Sequence, residues 1–191
     1  MALDTQINRQ VLISIYPDLH GDVNFKILSD ITPIYNCIAW AMGYTDRWVD
    51  HAILPGHWWP DNVIREKSSA ALKEAFEAEG FIEADDYLPE EGYEKVILYK
   101  NADTDEWTHA SRIITKDIEY SKFGETWDAQ HSHDVLCHTS DGYEMCSYGV
   151  AYTYMKRKCA QPPTAINGTI NVNRDKVAKL KMMLRMPLSH H

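Results

Sequence analysis

The sequence predicts an α+β fold in which a short, cysteine-bearing helix packs on an antiparallel sheet. Three stretches carry the prediction. Residues 34–43 (Ile-Tyr-Asn-Cys-Ile-Ala-Trp-Ala-Met-Gly) set an N-capping asparagine before the cysteine and a glycine stop after it. Ala71, Leu72, Ala75 and Phe76 recur at helical spacing among Lys73, Glu74 and Glu77. Residues 93–100 and 107–114 are β-rich runs on either side of the turn-prone 101–105, and a third run at 118–123 follows a second turn at Lys116-Asp117.

In chain order, residues 11–16 form an apolar run before Pro17 that fits a strand or the end of a helix equally well, and 18–30 form an irregular lead-in. Pro33 disfavours helical geometry at Thr32, so the first clear helix opens at Cys37 and stops at Gly43. The thiol then lies at the positive end of a helix, where unpaired amides and the macrodipole favour the thiolate. The competing role is the ordinary one of a free cysteine, a small buried hydrophobe. The loop that follows is too long and too aromatic for a mere connector: Trp58 and Trp59 either wall a substrate groove or close the core.

A helix over 61–79 stops at Gly80, and the meander of strands begins at Tyr93. Strand alternation puts Trp107, His109, Ser111 and Ile113 on one face. His109 is thus either a satisfied core histidine or a base facing the thiol. Residues 124–141 read as a polar, histidine-dense loop. If that loop is extended, His131 and His133 point to one side and would share a zinc with Cys137 or Cys146, although the spacing matches no standard zinc pattern. Strand character resumes over 145–155, with Tyr148-Gly149 marking a bulge or a close backbone approach. Composition changes at Ala160. Residues 1–159 therefore read as one domain, and 160–191 as an extension carrying a basic amphipathic helix at 175–186, which would dock in cis, on a protein partner or on a membrane surface.

Composition narrows the function classes. A net charge of -9 argues against general nucleic-acid or anionic-membrane affinity, and no apolar run approaches the ~20 residues of a membrane span. The N-terminus lacks the layout of a secretory signal, which predicts the cytoplasm or export by a non-classical route. Four cysteines with no CxxC pair are too sparse for a disulfide framework.

The phrases NCIAWAMG, AFEAEGF, YEKVILY, WTHAS, SKFG, AQH and SYG, in that order, resemble an uncharacterised bacterial branch of the NlpC-type papain-like cysteine peptidase and amidase superfamily. The likeness runs from about residue 16 to 158 and leaves the tail unmatched. It implies a papain-like α+β fold with Cys37 as nucleophile, His109 as general base and a third polar residue orienting His109. On the strand after the histidine that third position offers Ser121, with His131 just beyond; neither is the usual residue at an unambiguous place. Asn36, Trp40, Trp58 and Trp59 are the candidate oxyanion and substrate contacts.

Such a site hydrolyses or transfers an amide or acyl group of a peptide or protein substrate and needs no cofactor and no metal. The same dyad would serve a secreted effector or toxin acting on a host or rival protein or on cell-wall peptide. The rival expectation is a catalytically inactive binding module that keeps the fold.

Overall fold

The computed structural model describes residues 3–137 and 148–159. Its elements are α1 (Gln6–Ile15), β1 (Lys26–Ile27), α2 (Cys37–Met42), β2 (Trp48–Val49), β3 (His57–Trp58), α3 (Ser69–Ala78), β4 (Ile82–Ala84), β5 (Tyr93–Lys100), β6 (Trp107–Thr115), β7 (Ile118–Lys122), β8 (Asp128–Ser132) and β9 (Val150–Lys158). Seven strands form one sheet in the order β1-β8-β7-β6-β5-β9-β4, with every neighbouring pair antiparallel. β2 and β3 form a separate two-stranded parallel ribbon. The fold is mixed α/β, with a mostly antiparallel sheet and few helices.

Alternation along the strands divides the buried side chains between the two faces of the sheet. On one face Val96, Leu98 and Ala110 meet Ile38, Trp40 and Met42 of α2 and Leu72 and Phe76 of α3. On the other, Ile97, Tyr99 and Ile113 meet Leu12 of α1 together with Leu19, Phe25, Phe123, Trp127 and Tyr148. His109 follows the Tyr99 side, because Tyr99 and His109 are cross-strand partners while Leu98 pairs with Ala110. Trp107 leaves its expected face: a register shift at Tyr99/Lys100 moves it into the α2 core.

α2 has the caps its sequence predicts. Asn36 Oδ1 accepts the Ala39 N–H at 3.0 Å, and Gly43 closes the helix with φ 96°, a left-handed conformation that disfavours any side chain. The apolar run at 11–16 proves to be the end of a helix, α1, capped by Thr5. The helix expected over 61–79 begins only at Ser69, because Ser68 accepts the Ala71 N–H and makes the N-cap there. β8 arises within the stretch read as a loop, while β9 starts later than expected and runs on to Lys158. Residues 145–147, with Cys146, and the proposed extension at 160–191 lie outside the described residues.

One feature of the sheet positions the site. β6 pairs with β7 only through Arg112↔Tyr120, Ile113↔Glu119 and Thr115↔Ile118, yet β6 continues beside β5 back to Trp107 and β7 continues beside β8 to Lys122↔Asp128. The sheet therefore opens between 107–111 and 121–122. The start of α2 is seated at that opening.

Candidate thiol site

Cys37 is the first residue of α2, and its side chain is half-buried. The backbone amides of Ala110, Ile38 and Cys37 itself favour a negative charge on the Cys37 sulfur. Burial raises the thiol to about 11; those amides and the nearby Lys122 ammonium pull in the opposite direction without prevailing. A negative charge on sulfur would thus meet a ready set of donors, whereas the resting group is a thiol.

His109, Ser121 and His131 form a continuous hydrogen-bonded chain across the opening. His109 Nε2 is 3.1 Å from Ser121 Oγ, Ser121 Oγ is 2.8 Å from His131 Nε2, and His131 Nδ1 is 2.9 Å from the Ser132 carbonyl. A carbonyl only accepts, so His131 Nδ1 carries a hydrogen and a neutral ring presents Nε2 as an acceptor. The Ser121 hydroxyl then donates to His131 and accepts from His109 Nε2–H, which leaves Nδ1 as the basic nitrogen of His109. Burial holds His109 well below the ordinary histidine range, so its ring is neutral at pH 7, and a proton on His131 would lower it further. Tyr148 stacks on it with centroids 3.4 Å apart.

The structure thus joins Ser121 and His131 to His109. Among the described residues it makes no hydrogen bond between Cys37 and His109, which belong to opposite sides of the sheet. Asn36 is occupied in holding the loop: its Oδ1 accepts from Ala39 and Val49, and its Nδ2 donates to the Val49 carbonyl at 2.7 Å. Trp40 and Trp59 are buried in the α2 core, so neither walls an open groove. Trp58 is partly exposed beside Tyr44 and Arg47.

Sequence reasoning missed the charged half of the site. Lys122 is fully buried, donates to the Thr126 carbonyl at 2.8 Å and lies 5.3 Å above the Tyr35 ring. Its register partner Asp128 is also buried and accepts the Tyr35 hydroxyl at 2.7 Å. Burial lowers Lys122 to about 8 against the pull of Asp128, Cys37 and Glu125, and burial raises Asp128 against the pull of Lys122. The available signal was the alternation of 118–122, which puts Lys122 on the α2 side once Ser121 is assigned to the other.

The zinc alternative finds its histidines engaged elsewhere. Both ring nitrogens of His131 are used in the chain above. Those of His133 face Glu119 at 2.5 Å and Asp134 at 3.2 Å. Glu119, His133 and Asp134 do bring ligand-type atoms within 4.8 Å of one another, but as an ion-paired group under the Tyr87 ring. Cys146, the alternative thiol ligand, lies outside the described residues.

Fold and site together define a mixed α/β domain with a capped thiol at a break in an antiparallel sheet. Residues 26–156 match the family described as Domain of unknown function (DUF7689), and the chain belongs to that family. No curated protein matches the chain, and no solved structure does. Among the described residues, no helix is long and apolar enough to cross a membrane.

Proposed function

We propose that the protein is a thiol-dependent hydrolase of papain-like type, acting on an amide or acyl bond of a peptide or protein with Cys37 as nucleophile and His109 as base. The observation that carries this reading is the His131–Ser121–His109 chain, which fixes the tautomer of a neutral histidine and leaves its Nδ1 as a proton acceptor. In the reaction the Cys37 sulfur forms a bond to the substrate carbonyl carbon while its proton passes to His109 Nδ1. The leaving amine or alcohol takes that proton, and water then cleaves the thioester and regenerates the thiol. The Ala110 and Ile38 amides favour charge as it builds on sulfur. No substrate-side oxyanion donor is assigned, since Asn36 is already engaged.

A second reading, a binding module without catalysis, draws on the burial that raises the Cys37 thiol to about 11. Hydrolysis of p-nitrophenyl acetate separates the two without knowledge of the natural substrate. The hydrolase reading expects turnover that is lost in Cys37→Ala and reduced by roughly two orders of magnitude in His109→Gln. Equal slow hydrolysis by the wild type and both variants contradicts it.

A further inference from the structure

The reaction written above needs His109 Nδ1 aimed in one direction, and the hydrogen bond at the other ring nitrogen does not fix that aim. Nε2 is held 3.1 Å from Ser121 Oγ, but one hydrogen bond fixes a point and leaves the ring free to tilt about it. A neighbouring ring supplies the missing constraint. Tyr148 lies face to face with His109, with centroids 3.4 Å apart and planes only 10° from parallel, and both side chains are buried. Tyr99 closes on the pair from the side, its centroid 5.9 Å from that of His109 and 5.7 Å from that of Tyr148. Tyr16 and Phe123 pack against Tyr148 at 6.0 and 5.9 Å, so the stacked ring is itself held in place.

Two backbone features bring Tyr148 to this position. The Thr108 hydroxyl donates to the Tyr148 carbonyl, which ties residue 148 to β6 one position before His109. Gly149 then turns the chain in a left-handed conformation, pressed against the Lys100 carbonyl where no side chain fits.

We propose that Tyr148 is a positioning residue for His109: its ring sets the plane of the imidazole that Ser121 holds at one corner, and with it the direction of Nδ1. The proposal rests on His109 being the base of the hydrolase reading above. Tyr148 takes no proton in that scheme and acts only through the ring it covers.

The test has a spectroscopic and a kinetic arm, both in the full-length protein. A ring stacked this closely shields the protons of the ring it covers, so the Hε1 and Hδ2 resonances of His109, assigned by their loss in His109→Gln, should lie upfield of free-histidine positions. Tyr148→Phe should keep that shift and most of the p-nitrophenyl acetate turnover, because the stack is made by the ring. Tyr148→Leu should lose the shift and lower turnover by up to roughly a hundredfold, the cost of a reacting group misplaced by about 1 Å. His109 resonances at free-histidine positions in the wild type, or wild-type turnover in Tyr148→Leu, overturn the proposal. If Tyr148→Leu does not fold, Thr108→Val supplies the comparison, since Thr108 is exposed and loses only the hydroxyl that ties down the Tyr148 carbonyl. Shift and turnover should then both decrease, and two unchanged values overturn the proposal. A wild type with the upfield shift but no Cys37-dependent turnover removes the hydrolase reading and this role with it, whereas the failures named before remove the role of Tyr148 alone.

Discussion

His109 is buried, neutral and tied to Ser121 through one nitrogen, so its protonation matters to both activity and stability. Its folded pKa lies well below 6.5, hence the unfolded chain takes up a proton first as pH falls. Stability contributed by the neutral ring is complete above the unfolded value and declines as pH drops below it. Ester hydrolysis should therefore persist through pH 6 and fall at lower pH as His109 becomes charged. A pH–rate profile of the wild type tests this limb; a rate that does not fall on acidification contradicts the role of His109. Glu119 belongs to a different balance: burial pushes its carboxyl up, but hydrogen bonds from His133, Ser111 and Tyr99 hold it below the ordinary range, so it stays ionised beneath the sheet.

At the scale of elements, α2 is only six residues long and owes its place to what surrounds it. Arg157 on β9 donates to the Met42 carbonyl at 2.9 Å and to the Glu79 carbonyl at 3.0 Å, so one guanidinium closes the C-terminal ends of both α2 and α3 while Glu94 balances its charge. Arg157→Met should destabilise the protein by about 1–3 kcal/mol in urea unfolding and loosen Cys37 with it, whereas an unchanged midpoint means the two helices are held by packing alone. The caps of α2 and the β5-β6 hairpin were legible because each depends on neighbours within a few positions: Asn36 and Gly43 for the one, 101–105 for the other. β8 was not legible. Its five residues, Asp-Ala-Gln-His-Ser, have weak strand propensity, and the pairing with β7 that makes them a strand is invisible to local patterning.

For the whole molecule, the decisive feature was equally non-local. Alternation correctly grouped His109, Ser111 and Ile113, but no local signal says that β6 and β7 part company above Arg112, nor which face α2 covers. The close approach expected at Tyr148-Gly149 is present: a Cβ on Gly149, at φ 86°, would collide with the Lys100 carbonyl oxygen. Burying Lys122 also leaves a mark on global stability. Its folded pKa near 8 lies below the unfolded 10.5, so the unfolded state binds the extra proton between those values and stability rises with pH across the interval. Cys37, raised from 9 to about 11, works in the opposite sense above pH 9, which confines the net gain to roughly pH 8–9. Between pH 8 and 9 the wild type should gain about 1 kcal/mol relative to Lys122→Met in denaturant unfolding; parallel stability curves for the two proteins show that Lys122 is not buried in its charged form.

Peptide-level mass spectrometry of the full-length protein quenched in acid during reaction with p-nitrophenyl acetate is the most direct measurement of what Cys37 does. A transient acetyl group on Cys37, longer-lived when His109 is replaced by Gln, is the predicted result. Acetylation confined to Cys137, Cys159 or lysine side chains, with Cys37 unmodified throughout, contradicts a reacting thiol at the break in the sheet.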